Sequence, residues 1–366
     1  MNCAMLIPAY KPDDKLITYV KALAEAGVPK IIVVDDGGGE PFASIFDEVR
    51  TVPECTVLVH EVNKGKGRAL KTGLSYYLEN CTGLDGVVTG DADGQHTLED
   101  TMNVARLMAQ KPQSLILGSR DFDQDDVPPR SKFGNKMTTV VFKLFHGKHV
   151  GDTQTGLRGI PNDIIPFFTD IEGERYEYEM NMLIECAERN IEIEEVPIKT
   201  VYIDDNSSSH FNVLRESMRI YWLLSKTFIF YLISGFTAYL IDVLVFWLLS
   251  HALPSVKEVN VGGWFLTAFA TAPARIISSV ANFFMNKILV FKKNGDRAKS
   301  MLRFVILVVG VWALSTTLVW FFANIVFGGV NENIKTVIKM IVDALLVIVT
   351  FTMQRIWVFK KDTDEK

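Results

Sequence analysis

Two aspartates follow a β-branched run in the stretch VVTGDADGQH, where Asp91 and Asp93 are separated by a single residue. Side chains at positions i and i+2 of an extended chain point the same way, so the two carboxylates lie close together. Because like charges repel, this arrangement costs free energy unless a cation lies beside it. A calcium loop does not fit, since the twelfth position counted from Asp91 is Met102 and not glutamate. The spacing therefore predicts a Mg²⁺ or Mn²⁺ site that shares its ion with a phosphate.

A second candidate site is the glycine-rich turn of NKGKGRALKTG, which carries Lys64 and Lys66 and opens a helix. The turn lacks the G-x-x-x-x-G-K-S/T spacing of a nucleotide-triphosphate loop. Backbone N–H groups at a helix N-terminus nevertheless attract anions. The pattern is therefore typical of a contact with a phosphate or a ribose.

Short apolar strands alternate with amphipathic helices in the front part of the chain. The strands are CAMLIP, KIIVVDD, CTVLVHE, GVVTGDAD and SLILGSR, and helices are predicted over about 13–26, 67–78 and 98–109. Such alternation favours an α/β domain with a mostly parallel sheet that is covered on both faces. Ligands of these sheets bind beyond the carboxyl ends of the strands. Both candidate sites follow strand ends, as do Asp35 and Asp36.

The rear part of the chain differs in composition. Of 366 residues, 48% are hydrophobic, and residues 226–366 hold 15 Lys and Arg against 8 Asp and Glu, a net charge of +7. Residues 1–225 hold 23 Lys and Arg against 35 Asp and Glu, a net charge of −12. Four apolar segments, about 228–249, 264–284, 304–327 and 337–358, approach or exceed the roughly 20 residues that a helix needs to cross a bilayer. Buried soluble helices are the alternative, but four such segments leave almost no polar face. We therefore predict two domains, a globular domain at 1–225 and an all-α membrane domain of four spans at 226–366.

The distribution of basic residues predicts the orientation in the membrane. The link between the second and third spans and the segment after the fourth are rich in Lys and Arg, whereas the other two links carry only Lys257 and Lys335, beside Glu258 and Glu332. Basic links face the cytoplasm, so both termini and the front domain are expected there, in a multi-pass protein of the plasma membrane. The N-terminal stretch MNCAMLIPAYKPDD is no signal peptide by its pattern. The four cysteines show no metal-type spacing and are expected as free thiols, and no nucleic-acid partner is expected.

Six ordered motifs carry a family resemblance. They are IPAYKP, VVDDGGG, NKGKGRALKTGL, GDADGQH, GSRDF and DTQTGLRGI. In this order they resemble family 2 glycosyltransferases, specifically the dolichol- and undecaprenyl-phosphate sugar transferases, over nearly all of residues 1–225. The rear part, with its paired NKILVFKK and QRIWVFKK, resembles the GtrA-like four-span membrane proteins implicated in flipping lipid-linked sugars.

The resemblance implies a GT-A-like nucleotide-sugar-binding fold with specific site residues. In this family the Asp-x-Asp pair holds a divalent cation against the diphosphate of a nucleotide sugar, which makes Asp91 and Asp93 ligands and Gln95 a third. The ion neutralises charge on the leaving diphosphate, a Lewis-acid role. A UDP-sugar is the favoured donor and a GDP-sugar the alternative. Asp36 is expected to contact the nucleobase or ribose, and a turn cap is the alternative for Asp35. The full set expected to bind the nucleotide is Pro8, Ala9, Tyr10, Asp35, Asp36, Lys64, Lys66 and Gly67.

The implied acceptor is polyprenyl phosphate. A phosphomonoester is mostly dianionic near neutral pH, so it needs cations rather than a general base. Arg120, Arg130 and Arg158 lie in segments that face the acceptor in related enzymes, and a guanidinium fork suits phosphate oxygens, although each arginine has an ordinary surface position as its alternative. Ser209 and His210 are weaker candidates for an acceptor or nucleotide contact. The segment FGNKMTTVVFKLFHGK places apolar residues at helical spacing, which fits a helix in the membrane interface or one packed on the core.

Charged residues inside the predicted spans include Lys339, nearer the outer end of the fourth, and three that lie deeper, Asp242 in the first, Arg275 in the second and Asp343 in the fourth. Under the predicted topology they occupy similar depths, where an ionisable group costs at least about 2.5 to 3.5 kcal/mol. One interpretation is a structural ion pair. The other is a polar path in which Arg275, held between the acids, receives a lipid phosphate as it crosses. The paired motifs end the second and fourth spans and predict two hairpins of the same direction.

The expected activity is inverting transfer of one sugar from a nucleotide sugar to polyprenyl phosphate, with the membrane domain moving the product across the bilayer. One alternative is a processive polysaccharide synthase, which would want a Gln-x-x-Arg-Trp motif that the front domain lacks. The other is a lipid-sugar transporter whose front domain only binds, and the intact Asp91, Asp93 and Gln95 argue against it. Membrane lipid and a second copy of the chain are further candidate partners.

Overall fold

Runs rich in Ile, Val and Leu form one seven-stranded sheet in the computed structural model. The structure describes residues 2–123, 127, 129–199, 213–252, 263–291, 296–328 and 332–359. The strands are β1 Ala4–Ala9, β2 Lys30–Asp35, β3 Cys55–Val59, β4 Gly86–Thr89, β5 Ser114–Arg120, β6 Arg158–Pro161 and β7 Glu192–Ile198. Their order across the sheet is β3-β2-β1-β4-β6-β5-β7. Strand β6 runs antiparallel to β4 and β5, and the other neighbouring pairs are parallel. The predicted mostly parallel sheet is confirmed.

Helices connect the strands in the front part of the chain. They are α1 Lys15–Glu25, α2 Ala43–Arg50, α3 Lys66–Asn80, α4 Leu98–Gln110, α5 Pro129–His146, α6 Ile165–Thr169 and α7 Glu177–Arg189, with a 3₁₀ turn at Glu40–Phe42. Helices α1, α3 and α4 match the predicted ones within two residues at each end. Thr97 caps α4 by accepting a hydrogen bond from the Asp100 backbone N–H, which ends the loop after β4 at a defined residue.

Apolar side chains are buried on both faces of the sheet. In β1, Ala4 and Leu6 join one buried cluster with residues of α3, α5, α6 and α7, while Met5 and Ile7 join a second cluster with residues of α1, α2 and α4. This alternation follows from the two-residue period of a strand, and burial on both faces is typical of parallel sheets. A fully buried aliphatic side chain contributes about 1.5 to 3 kcal/mol, so these layers hold the strand ends rigidly.

Strand β6 is not among the strands that the sequence patterns predict, and it lies near the middle of the sheet. Because it runs antiparallel, its first residue, Arg158, lies opposite Thr89, the last residue of β4. The loop that precedes β6 is therefore brought to the carboxyl edge of the sheet, where the Thr89 hydroxyl donates a 2.7 Å hydrogen bond to the Gly156 carbonyl. The DTQTG motif thus borders the site built after β4.

The chain divides into two units, Met1–Leu224 and Ser225–Lys366, and the described part of the second unit is helical. Its helices are the rear of α8 Val213–Ala252, α9 Gly263–Met285, α10 Arg297–Trp320 and α11 Glu332–Met353, with π-helical turns at Asn286–Val290, Phe321–Val326 and Gln354–Val358. Within the described residues, three helical stretches are long and apolar enough to cross a membrane: Met218–Leu249, Arg297–Val326 and Val337–Val358. Helix α9 covers the second predicted span, whose crossing of the membrane stays a prediction.

Contacts between the two repeated motifs are reciprocal. Asn286 donates from Nδ2 to Gln354 Oε1 at 3.0 Å, and these residues hold equivalent places in the two motifs. The ring of Phe291 lies 5.7 Å from that of Phe351, and the ring of Phe359 lies 5.5 Å from that of Phe283. Exchanging the motifs converts one of these ring contacts into the other, which is the signature of an approximate two-fold axis. The two halves of this unit therefore pack as related hairpins.

Candidate active site

The acidic pair lies directly after β4, at the carboxyl edge of the sheet. Asp91 and Asp93 are both half-buried, and the Gln95 backbone N–H donates to Asp93 Oδ1 at 3.0 Å. Gly156 approaches from the loop before β6, and a Cβ at this position would lie 2.5 Å from Asp91 Oδ2. Only glycine leaves room for the Asp91 carboxylate here, so the loop and the strand end form one site.

Lys66 joins this site from the first turn of α3. Its Nζ lies 2.6 Å from Asp91 Oδ1 and 2.9 Å from Glu179 Oε1, so one ammonium bridges two carboxylates. Glu179 belongs to α7 and is buried. The sequence patterns did not single it out, although an acid at helical spacing with Leu183 and Cys186 on an apolar face was a usable signal.

Lys66 reaches Glu179 because the starts of α3 and α7 pack closely together. A Cβ at Gly67 would lie 2.5 Å from the Cβ of Tyr178, which precedes Glu179. The Arg68 backbone N–H also donates to the Glu174 carbonyl at 3.0 Å. The glycine after Lys66 therefore serves helix packing in this structure, and that packing brings Lys66 to Glu179.

The two aspartates have opposite electrostatic environments. Burial alone would raise the pKa of Asp91, but the Lys66 ammonium and His96, whose Nε2 lies 3.5 Å from Asp91 Oδ2, hold that pKa well below its usual range. Burial and the neighbouring Asp91 charge raise the pKa of Asp93. The carboxylates of Asp91 and Glu179 outweigh burial and raise the pKa of Lys66. A charged lysine thus compensates Asp91, while burial and Asp91 disfavour the charged form of Asp93.

The donor atoms fit a divalent cation that arrives with a substrate. In the part of the chain that the structure describes, no three His, Cys, Asp or Glu side chains lie together as a complete metal cage. Two carboxylates at a strand end, with Gln95 two residues further along the chain, supply the oxygen donors that Mg²⁺ prefers. This ion takes its remaining ligands from water and substrate phosphates. The residues present therefore suit an ion shared with a diphosphate.

Asp36 holds the glycine-rich turn. Its carboxylate is only 2% exposed and accepts four hydrogen bonds, from His60 Nδ1 at 2.7 Å, Asn63 Nδ2 at 3.0 Å and the backbone N–H groups of Lys64 and Gly65 at 2.9 and 2.8 Å. An ionised carboxylate offers about four acceptor positions, and all are used. In this structure Asp36 therefore fixes the loop that carries Lys66, and its contact with the nucleobase or ribose stays a prediction.

The other candidates for nucleotide contacts lie around the ends of β1 and β2. Pro8 and Ala9 end β1, and Tyr10 follows at the surface. Asp35 ends β2 half-buried and accepts a hydrogen bond from the Gly38 N–H at 2.9 Å, as a turn cap does. Lys64 is exposed on the glycine-rich turn. These residues share the carboxyl edge of the sheet with Asp91, and their contact with a nucleotide stays a prediction.

The arginines expected to face the acceptor differ in position. Arg120, at the end of β5, donates from Nε and Nη2 to the two oxygens of the buried Asp152 at 2.6 and 3.1 Å and stays partly exposed. Arg158 is only 1% exposed and donates to the backbone carbonyls of Thr155 and Glu179 at 2.9 and 2.6 Å. Arg158 thus donates to backbone carbonyls in this structure, and its assignment to the acceptor stays a prediction. The Arg130 side chain, Ser209 and His210 lie outside the described residues.

The charges predicted inside the membrane divide into two groups. Arg275 Nε lies 3.6 Å from Asp242 Oδ2, and Ser278 Oγ donates to Asp242 Oδ1 at 3.1 Å. Asp343 instead pairs with Lys339 and accepts a hydrogen bond from Ser315 Oγ at 2.6 Å. Asp242 and Asp343 therefore have different cationic partners, and the placement of Arg275 between two acids stays a prediction.

Two family models match separate parts of the chain. Residues 5–168 match Glycosyl transferase family 2, and residues 230–359 match the GtrA/DPMS transmembrane domain. The first match contains the acidic pair and the glycine-rich turn, and the second contains NKILVFKK and the first six residues of QRIWVFKK. The chain is thus assigned a catalytic front part and a membrane rear part.

Two relatives of known sequence support this assignment. The chain is 30% identical, over 60% of its own length and 94% of the relative, to a UDP-N-acetylglucosamine–dolichyl-phosphate N-acetylglucosaminyltransferase of Methanococcus voltae. It is 26% identical to an undecaprenyl-phosphate 4-deoxy-4-formamido-L-arabinose transferase of Pectobacterium carotovorum, over 45% of the chain and 50% of the relative. Glucosyl-3-phosphoglycerate synthase of Mycobacterium tuberculosis, solved with Mn²⁺, UDP and phosphoglyceric acid, has 16% identity and a TM-score of 0.44 over 61% of this chain and 78% of its own. The chain belongs to glycosyltransferase family 2 and carries a GtrA/DPMS transmembrane domain.

Proposed function

We propose that this glycosyltransferase transfers one sugar from a nucleotide sugar, with UDP as the favoured carrier and GDP as the alternative, to polyprenyl phosphate. The observation that carries the proposal is the acidic pair Asp91 and Asp93 beside a bridging Lys66, at the sheet edge where nucleotides bind in such folds. The polyprenyl acceptor is suggested by the M. voltae relative, which is named for a dolichyl-phosphate acceptor.

The reaction exchanges one bond at the anomeric carbon. An oxygen of the lipid phosphate attacks this carbon from the face opposite the nucleotide, so the configuration inverts while the bond to the diphosphate breaks. No proton has to be removed, because the acceptor is already ionised near neutral pH. Mg²⁺ or Mn²⁺, held by Asp91, Asp93 and Gln95, supplies Lewis-acid neutralisation of the diphosphate when bound. Arg120 is the described cation proposed to orient the acceptor phosphate, together with Arg130.

An exposed apolar stripe on α5 supports a lipid acceptor. Phe133, Met137, Val140 and Leu144 recur at helical spacing, and Phe133 and Val140 are 67% and 62% exposed. Lys132, Lys136 and Lys143 lie on the same helix. An apolar stripe flanked by lysines is typical of a helix in the membrane interface. We propose that the enzyme lies in the plasma membrane with its front part and both termini in the cytoplasm, because links rich in Lys and Arg favour the cytoplasmic side.

The product is expected to be a lipid monophosphate sugar. The nucleotide leaves with both of its phosphates, so the bridging phosphate is the lipid's own. Membranes that contain the protein, incubated with radiolabelled nucleotide sugars, should yield a lipid whose mass spectrum shows one phosphate and one sugar. A lipid diphosphate sugar would contradict the reaction, and a polymer would favour the processive synthase. Donor binding without any lipid product would favour the transporter.

Transport of the product is proposed for the rear part. Arg275 is 71% exposed beside the largely buried Asp242, so a guanidinium within a predicted span is open to a phosphate. Replacing Arg275 with Gln should leave transfer onto lipid intact and stop the product from reaching the outer leaflet. Labelling of outer-leaflet sugar in vesicles measures this. Lys339→Gln is the control, because it removes the cation of the other ion pair. Unchanged labelling in a folded Arg275 variant would make that residue structural.

A further inference from the structure

The bridge made by Lys66 raises a question of charge, because a divalent cation on Asp91 would meet an ammonium already bound there. Lys66 Nζ lies 2.6 Å from Asp91 Oδ1, within the distance at which a metal would repel it. A metal bound to the same oxygen of Asp91 would therefore be repelled by the Lys66 ammonium. Either the lysine moves, or the metal binds weakly.

Glu179 gives the displaced lysine a second partner. Its Oε1 lies 2.9 Å from Lys66 Nζ. The backbone of Glu179 is held in place, because its carbonyl accepts a hydrogen bond from the fully buried Arg158. A buried ammonium without a carboxylate is costly, so a lysine held only by Asp91 would resist displacement. With Glu179 present, Lys66 can leave Asp91 and remain paired.

We propose that Glu179 is a positioning residue that holds Lys66 while the divalent cation takes over Asp91. The ammonium of Lys66 then turns towards the diphosphate that arrives with the ion. This inference rests on the proposed function, because it assumes a nucleotide diphosphate as the leaving group. When the sugar departs, the diphosphate gains one negative charge, and Lys66 is the cation placed to stabilise it. Before the donor binds, the same lysine compensates the acidic site and weakens its hold on free metal.

We call the transfer of Lys66 from Asp91 to Glu179, as the metal binds, the exchange. It predicts opposite effects of replacing Lys66 and of replacing Glu179. In the full-length protein in detergent, without nucleotide, Lys66→Gln should tighten Mn²⁺ binding by about tenfold, because the competing cation is gone. Glu179→Gln should weaken Mn²⁺ binding by about threefold or more, because the lysine then has only Asp91. The double variant should bind Mn²⁺ as tightly as Lys66→Gln alone. With Mn²⁺ saturating, Lys66→Gln should bind UDP more weakly than the wild type. The electron paramagnetic resonance signal of free Mn²⁺ measures the first three effects.

Lys71→Gln is the matched control. Lys71 is a buried lysine of the same helix and pairs with Glu174 at 3.3 Å, away from the aspartates. Its loss should leave Mn²⁺ affinity within about twofold of the wild type. Lys66→Met replaces the glutamine variant if the latter aggregates. If neither Lys66 variant folds while Lys71→Gln does, Lys66 is structural and the exchange is wrong.

The remaining outcomes separate the possible failures. Unchanged Mn²⁺ affinity in a folded Lys66 variant would overturn the exchange. A double variant as weak as Glu179→Gln would make Glu179 a metal ligand instead of a holder of the lysine. If the Mn²⁺ effects appear but no lipid product forms, the proposed function fails and the exchange stands. If lipid product forms but the Mn²⁺ effects are missing, the exchange alone fails.

Discussion

Replacing Asp93 with Asn is expected to lower the rate of sugar transfer by about a thousandfold or more, equivalent to about 4 kcal/mol of transition-state stabilisation. Asp93 is half-buried at a strand end, and its charge is repelled by Asp91. A charge in this setting serves a ligand rather than packing. Asp93 is a cleaner choice than Asp91, because the latter also binds Lys66.

Incorporation of radiolabelled sugar into lipid, measured against Mn²⁺ concentration, tests this expectation. Asp123→Asn is the control, since Asp123 is an exposed acid paired with Lys136 at 2.6 Å and lies outside the site. Thermal unfolding of the variant should match that of the wild type within a few degrees, about what a change under 1 kcal/mol produces. Metal-dependent transfer at a wild-type rate would remove the acidic pair from the mechanism.

Replacing Asp36 with Asn is expected to destabilise the front unit by about 3 kcal/mol. The buried carboxylate accepts four hydrogen bonds, and an asparagine would turn its NH₂ towards donors on the glycine-rich turn. Each buried donor left without an acceptor costs about 1 to 3 kcal/mol. Because the turn positions Lys66, affinity for the nucleotide should fall as well.

Pulse proteolysis of the full-length protein across a urea series measures the loss of stability. Tryptophan fluorescence is unsuitable, because all six tryptophans lie at or beyond Trp222. Asp35→Asn is the matched control: Asp35 is the preceding residue, is half-buried, and its carboxylate accepts from Gly38 alone among the described contacts. It should cost under about 1 kcal/mol of stability while weakening UDP binding. Equal losses of stability in the two variants would contradict the role assigned to Asp36.

The alternation of strands and helices, the acidic pair at a strand end and the apolar rear part could all be predicted from the sequence. These features are local. A strand or helix is specified by the spacing of apolar residues along a short segment, and a span by its length and composition. The mostly parallel sheet follows from the same local alternation. Chemistry that depends on neighbours in sequence, as in Asp91 and Asp93, was readable for this reason.

The partners of those residues were decided by the tertiary structure. Glu179 meets Lys66 only because α7 packs against the start of α3, and the DTQTG loop reaches Asp91 only because β6 is antiparallel. The motifs of Asp36 and Arg158 predict contacts with ligands. In the structure both side chains are buried and form hydrogen bonds with backbone groups of the protein. No periodic pattern encodes such contacts, because they join segments distant in sequence through the packing of whole elements. Sequence therefore determined which groups could do chemistry, and the fold decided which of them face a substrate and which hold the others in place.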